Sequence, residues 1–205
     1  MLNHLITGLV LAAGTAPAYV WSGTTTLTAS DGAKLVWTVK QGETVEVDAS
    51  HPKWSFHHVA KPDGTPVSTV KKSGARTVRI DYRDGEATYA VAGAKPKLIK
   101  TSNLWDADAL DARLAGVDWA KTKEVEFNVI DSDSEDGDVY PMVAVDEGVE
   151  ACAAGPCRHV KLTLSGFRKP FGPTVHFHFG TAPGAPYFEN DNDGHKFTRK
   201  AEAAR

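Results

Sequence analysis

The sequence predicts a mainly β protein, in which an antiparallel meander forms a barrel, half-barrel or curved sheet with one short helix insert. Three observations predict this fold class. Short segments rich in β-branched and aromatic residues recur between turn residues along the chain. In segment 76–82 apolar and polar residues alternate, as in a strand with one buried and one solvated face. Apolar residues at helical spacing occur in the stretch 103–116.

The first half of the chain contains seven predicted strands joined by hairpin turns. The strands are predicted at 24–29, 34–40, 44–48, 54–60, 67–71, 76–82 and 87–92. Glycine follows a polar residue in the gaps, at Asp31-Gly32, Gln41-Gly42, Asp63-Gly64, Ser73-Gly74 and Asp84-Gly85. Such dipeptides tolerate the positive φ that tight turns require, so we expect consecutive strands to pair antiparallel.

A short helix is predicted near residues 104–115. Trp105, Leu110 and Leu114 fall at spacings that share one helix face, and acidic residues occupy the first turn. Gly116 is a suitable helix end. We expect this helix to cover one mouth or face of the sheet. Strands then resume at 123–130, 139–145, 158–164, 174–180 and 196–199, which brings the total to about a dozen.

Residues 1–18 are predicted to be a secretory signal peptide. An uncharged apolar run at 5–13 precedes Ala16-Pro17-Ala18, a small-x-small triplet typical of a signal peptidase site. The run is too short to span a bilayer as a stable helix. We therefore expect residues 1–18 to be removed, and residues 19–205 to form a single β-rich domain that is periplasmic or secreted.

The exported chain is predicted to be soluble, with no membrane span. The leader has only His4 where Lys or Arg is usual, and Thr15 stands where a lipidated leader would have cysteine. No later run is apolar enough for a transmembrane helix. The predicted strands are shorter than the about ten residues of an outer-membrane barrel strand and often carry charges on both faces.

The charge balance argues against a nucleic-acid partner. Lys and Arg number 23 and Asp and Glu number 26, which gives a formal net charge of −3. Basic residues cluster within 71–79 and 95–100, but neither cluster makes the chain basic. Solvated strand faces account for both clusters.

The two cysteines, Cys152 and Cys157, are predicted to form a disulfide. Their Ala-Ala-Gly-Pro spacer is small and turn-prone, and paired cysteines are expected in an oxidising compartment. Redox motifs have two intervening residues rather than four, and a metal site with His159 would lack an evident fourth ligand. Closing so short a loop restricts the unfolded chain by roughly 2 kcal/mol, so the disulfide is expected to pin a loop.

Histidines are the strongest candidates for a functional site. Alternation puts His176 and His178 on the same face of one predicted strand, and His57 and His58 lie on another. A third ligand from His57, His58 or His159 would complete a site for a divalent metal. The alternative is that these residues are partly exposed side chains on strands whose aromatic residues form the core.

Two acidic segments have the oxygen-rich composition of calcium loops. In 131–138 the glycine comes one position late for an EF-hand, and the position of the bidentate glutamate is apolar. Segment 189–194 has suitable oxygen ligands, but Lys200 occupies its twelfth position. Solvated hairpin turns explain both segments, with Ca²⁺ binding as the alternative.

The predicted elements resemble the bacterial periplasmic half-barrel proteins, which include lipoprotein-carrier-like and uncharacterised envelope proteins. The resemblance rests on the leader, the hairpins around 63–67 and 76–82, and the insert at 104–114. It implies that the concave face binds an acyl chain or another apolar ligand, with the helix as a lid. It transfers no functional residue.

The sequence therefore favours an exported, soluble, non-enzymatic protein that binds an apolar ligand or an envelope partner. It contains no nucleophile elbow, phosphate loop, dinucleotide fingerprint or zinc-protease helix, so no catalytic residue is predicted. The alternative is a metal-binding protein or metal-dependent hydrolase that uses the histidines.

Overall fold

The computed structural model describes residues 22–152, 155–166, 174–181, 188–192 and 195–198; the predicted signal peptide lies outside these ranges. The described part contains fifteen strands: β1 Gly23–Ala29, β2 Lys34–Gln41, β3 Val45–His51, β4 Trp54–Ala60, β5 Pro66–Ser73, β6 Arg76–Arg83, β7 Glu86–Val91, β8 Lys97–Lys100, β9 Leu104–Asp106, β10 Glu124–Ile130, β11 Val139–Cys152, β12 Gly155–Leu164, β13 Val175–Gly180, β14 Phe188–Asn192 and β15 His195–Thr198. A 3₁₀ turn, Ala107–Ala109, and one helix, α1 Leu110–Ala115, lie between β9 and β10.

These strands form one sheet made of two meanders. The first meander runs from β8 back to β1, and the second from β15 back to β9. A short antiparallel pairing of β1 with β15, at Thr28 and Thr198, joins them. All ladders are antiparallel except that of β9 with β10. The predicted fold class is confirmed: the protein is mainly β, a half-barrel with one short helix.

The alternation of apolar and polar residues along each strand determines which face of the sheet forms the core. In β6, Val78, Ile80 and Tyr82 are buried while Arg79 between them is exposed, as the alternating pattern predicts. Buried side chains from both meanders then pack against each other. One cluster joins β1–β4 to β10–β13 and α1, and includes Leu27, Trp37, Phe56, Leu114, Phe127 and Phe177. A second joins β6–β8 to β9 and β10, and includes Ile80, Tyr89, Ile99, Leu104 and Ile130. The sheet therefore curls so that its two meanders share a core.

The helix begins later than predicted, because Leu104–Asp106 form β9 and pair with β10. The ring of Trp105 stacks on that of Phe127 in β10, with centroids 3.9 Å apart. This tertiary pairing overrides the local helical period. α1 itself buries Leu110, Ala112 and Leu114. Within the described ranges, no helix combines the length and the apolar composition needed to cross a bilayer.

β11 and β12 form a hairpin longer than predicted. Their ladder continues from Met142 and Leu164 to Cys152 and Gly155, with a bulge next to Gly148. Gly148 has φ +108, a conformation that glycine adopts without steric cost. The extension carries the hairpin past Glu150 and His159, so that both lie on paired strands beside β13.

Candidate functional site

Glu150, His159 and His178 converge on three adjacent strands. The ladder of β12 with β13 places His159 directly opposite His178, and directly opposed residues share one sheet face. Glu150 Oε1 lies 2.9 Å from His178 Nε2, and Glu150 Oε2 lies 3.6 Å from His159 Nδ1. One potential ligand atom from each residue lies within 4.8 Å of the other two. We call these three residues, with His176, the histidine cluster.

His176 orients the cluster through His159. His176 Nδ1 and His159 Nε2 are hydrogen-bonded at 2.8 Å. The His159 ring also stacks on that of His178, with centroids 4.5 Å apart. The side chains of His159 and His178 are 18% and 12% exposed, whereas that of Glu150 is 50% exposed. The cluster therefore offers two imidazole nitrogens and one carboxylate oxygen in a site open to solvent on its acidic side.

His57 and His58, which the sequence predicts as candidate ligands, lie elsewhere in the sheet. They belong to β4 in the first meander, whereas His176 and His178 belong to β13 in the second. Being adjacent on a strand, they also point to opposite faces. His57 Nδ1 bonds Asp48 Oδ1 at 2.8 Å on the exposed side, and His58 is 2% exposed in the interior.

Sequence reasoning missed Glu150. The predicted disulfide could have indicated it, because Glu150 lies two residues before Cys152 and His159 lies two residues after Cys157. Side chains two residues apart on a strand point to the same face, so a disulfide at the end of a hairpin puts these two side chains on one face of the strand pair. The structure joins these cysteines in a disulfide with Cα atoms 5.9 Å apart, which confirms the predicted bond.

A buried polar network joins β4, β5 and β6 to β9. Thr69 Oγ1 and Tyr82 OH each donate a 2.5 Å hydrogen bond to Asp106 Oδ2. Thr69 Oγ1 in turn accepts a bond from His58 Nδ1 at 2.8 Å. Burial lowers the pKa of His58 to about 4, so its ring is neutral at neutral pH. Burial raises the pKa of Asp106, although the bonds from Thr69 and Tyr82 oppose that shift.

An ion pair lies beside this network. Lys71 Nζ in β5 is 2.7 Å from Asp108 Oδ1 and 2.8 Å from Asp133 Oδ2. Burial and the neighbouring charge of Asp106 raise the pKa of Asp108 to about 6, against the charge of Lys71. Burial alone would lower the pKa of Lys71, but the charges and hydrogen bonds of Asp108 and Asp133 have a larger total effect and raise the pKa. We call the contacts of Thr69, Lys71 and Tyr82 with Asp106 and Asp108 the seam.

The acidic segment 131–138 contributes to this region as a structural loop. Its Asp133 pairs with Lys71, and Arg76 donates to the backbone oxygens of Ser132 and Ser134. These contacts hold the loop between β10 and β11 against β5 and β6. The second predicted calcium segment, 189–194, ends outside the described residues.

A cleft of about 530 Å³ opens at one mouth of the half-barrel. The turns after β4 and β6, the chain entering β9, and α1 surround it. Its floor includes the buried side chains of Leu104 and Trp105, and its rim carries Lys61, Arg83 and Arg113. The cleft therefore combines apolar surface with positive charge.

Arg113 links α1 to the turn at the cleft. Its guanidinium lies 4.9 Å from the Trp105 ring centroid, and its Nη1 donates to the carbonyl oxygen of Asp63 at 2.6 Å. Gly64 lies beneath it with φ +79, and a Cβ there would stand 1.6 Å from Nη1. The positive φ of the turn favours glycine at residue 64, and a Cβ there would require Arg113 to move from its observed position.

Comparison with known proteins finds a solved structure of similar fold. No protein-family model matches the chain, and no curated protein matches it. The chain is similar to a solved structure, a beta-barrel-like protein of domain of unknown function DUF1849 from Brucella abortus, with a TM-score of 0.61. The two are 10% identical, and the match covers 89% of this chain and 97% of that one. This likeness supports a β-barrel-like architecture.

Proposed function

We propose that this chain is an exported, non-enzymatic binding protein that holds an anionic amphiphile in the cleft. The observation that carries the proposal is the combination of exposed apolar surface on the cleft wall, at Val67, with a cationic rim. An amphiphile of this kind has an apolar chain and one acidic group, so it can use both parts of the cleft.

The size and wall of the cleft suit the apolar part of such a ligand. Its volume of about 530 Å³ is within the usual range for small-molecule sites. Val67 on its wall is 37% exposed, so apolar surface is available to a ligand. Covering such surface contributes about 25 cal/mol for each Å² removed from water.

The rim suits the acidic group. Lys61 and Arg83 are exposed at the ends of two neighbouring hairpins, and Arg113 approaches from α1. Asp84 is the acidic residue that lines the cleft, so cationic side chains outnumber it. A guanidinium can bind a carboxylate or phosphate through two parallel hydrogen bonds.

Two other features support export and this ligand class. The predicted leader directs the chain out of the cytoplasm, and the disulfide is typical of an oxidising compartment. The resemblance to lipoprotein-carrier-like proteins supports an acyl chain as the apolar part. The resemblance also implies that the helix of this chain acts as a lid, and α1 contributes Arg113 to the cleft wall.

Titration with a fluorescent long-chain fatty acid tests the proposal, together with native mass spectrometry of protein purified from its own envelope. We expect an adduct on the native protein, and about tenfold weaker fatty-acid binding in the Lys61→Ala/Arg83→Ala variant. Val67→Asp should weaken binding further, because it puts a negative charge on the wall.

The matched control is Lys95→Ala/Lys97→Ala, which removes two exposed cations away from the cleft. This variant should bind the fatty acid like the wild type. Equal loss in both double variants would show non-specific charge attraction and overturn the proposed site. If the native protein carries no adduct and binds no fatty acid, but retains an envelope protein in a pull-down, the amphiphile proposal is wrong. The partner would then be a protein.

A further inference from the structure

We propose that Glu150, His159 and His178 form a binding site for a divalent transition metal such as Zn²⁺. The site lies on the β11–β12 hairpin and β13, and it shares no residue with the cleft. Metal binding and amphiphile binding are therefore separate properties, and the failure of one leaves the other intact.

The spacing of the donor atoms carries the proposal. Zinc bonds of about 2.1 Å in a tetrahedron place neighbouring ligand atoms about 3.4 Å apart. Glu150 Oε1 lies 2.9 Å from His178 Nε2, and Glu150 Oε2 lies 3.6 Å from His159 Nδ1, on either side of that value. One donor atom from each of the three residues lies within 4.8 Å of the other two, so the three side chains are close enough to bind one ion.

The donor types select the class of metal. Two imidazole nitrogens and one carboxylate oxygen suit Zn²⁺, Cu²⁺ or Ni²⁺ better than Ca²⁺ or Mg²⁺, which prefer oxygen ligands. Three protein ligands leave a fourth tetrahedral position for water. Glu150 is 50% exposed, so an ion can reach the site from solvent.

His176 supplies the support that ligating histidines usually have. A histidine that binds metal through one nitrogen commonly donates the other N–H to a neighbouring acceptor, which sets its tautomer. His159 can donate its Nε2–H to His176 Nδ1 across 2.8 Å, which leaves the Nδ1 lone pair directed towards Glu150. His176 is thus a positioning residue.

The disulfide holds two of the ligands in place. Cys152 and Cys157 close the end of the hairpin, two residues beyond Glu150 and two residues before His159. The sulfur atoms themselves are bonded to each other and are not thiolate ligands. The ladder with β13 then fixes His178 opposite His159. All three ligands therefore stand on paired strands, which position side chains more rigidly than loops.

Calorimetric titration of the oxidised, metal-free protein with Zn²⁺ at pH 7.5 tests the site. We expect one Zn²⁺ per chain and a rise in the thermal unfolding midpoint when Zn²⁺ is added. His176→Ala should weaken binding about tenfold. His159→Ala and His178→Ala should weaken it more than that, because each removes a ligand. Cobalt substitution should give the visible absorption of a tetrahedral ion.

His57→Ala is the matched control. His57 is also bonded to a carboxylate, Asp48, on the surface, but it lies in the other meander. This variant should bind Zn²⁺ like the wild type. Glu150→Gln keeps the size of the side chain but removes the carboxylate charge and one acceptor oxygen. Weaker Zn²⁺ binding in this variant with unchanged circular dichroism would exclude a folding defect. No stoichiometric binding by the wild type, or equal loss in His57→Ala and His178→Ala, would overturn the proposal.

Discussion

Thr69 in β5 donates a 2.5 Å hydrogen bond to Asp106 in β9, although the two strands belong to opposite meanders. In the sheet β5 pairs with β4 and β6, and β9 pairs with β10. The contact of Lys71 with Asp108 lies next to this bond and joins the same two regions. Polar side chains rather than a backbone ladder therefore hold the curled sheet together at the seam.

Asp106→Ala should be strongly destabilising, because it leaves the buried hydroxyl groups of Thr69 and Tyr82 without their acceptor. We expect a loss of about 3–5 kcal/mol in the free energy of unfolding, measured by urea denaturation. Asp48→Ala is the control, since Asp48 is an exposed carboxylate bonded to His57. It should cost less than about 1 kcal/mol. Equal costs would mean that the seam does not hold the fold.

Lys71→Met should be most destabilising at neutral pH and less so in acid. The substitution leaves Asp108 buried without its cation, at a cost of about 3–5 kcal/mol. The pKa of Asp108 is raised to about 6, and the loss of the Lys71 charge raises it further. The folded state therefore takes up a proton as the pH falls towards 5, and the cost shrinks. Urea denaturation from pH 8 to pH 5 measures this.

The control for that experiment is Lys72→Met, which replaces the exposed lysine next in β5. It should change stability by less than about 0.5 kcal/mol at every pH. A cost of Lys71→Met that stays constant across the range would contradict the buried position of Asp108.

His58→Gln should make the protein more resistant to acid. The folded-state pKa of His58 is lowered to about 4 from its model-peptide value of 6.5. Its contribution to stability is therefore present above pH 6.5 and is lost as the pH falls to about 4. Over this window the wild type should lose roughly 3 kcal/mol more than the variant. A His58→Gln curve parallel to that of the wild type would refute the prediction.

Gly64→Ala should be more damaging than Gly74→Ala, although both glycines have positive φ. A Cβ at residue 64 would meet Arg113, whereas at residue 74 it would meet nothing within 4 Å. We expect about 1 kcal/mol for Gly74→Ala from the backbone alone, and at least about 2 kcal/mol for Gly64→Ala. Fatty-acid binding should fall in Gly64→Ala alone. Equal unfolding free energies and unchanged binding would mean that Arg113 moves aside without consequence.

Local features of the fold could be predicted because their causes are local. The alternation of Val78, Ile80 and Tyr82 reports which face of β6 is buried, whatever lies beyond it. The glycine after Asp63 marks a turn, because a positive φ there depends on the residue itself. The strand β9 could not be predicted in this way, since residues 104–106 pair with β10, which lies about twenty residues further along the chain.

The histidine cluster was predictable only in part. Alternation correctly put His176 and His178 on one face of a strand, but it carries no information about which strand lies alongside. The ladder register brings His159 opposite His178, and the hairpin extension adds Glu150. The same sheet order separates His57 and His58 from them.

The sequence by itself thus determined most of the strands, the hairpin turns, the disulfide and the presence of a short helix. These depend on residue type and on spacing within one or two elements. The tertiary structure alone decided that Thr69 meets Asp106, that Arg113 reaches the cleft, and that Glu150 joins the histidines. Each of these contacts joins residues from different strands or turns, and their distance depends on register and on the curl of the whole sheet.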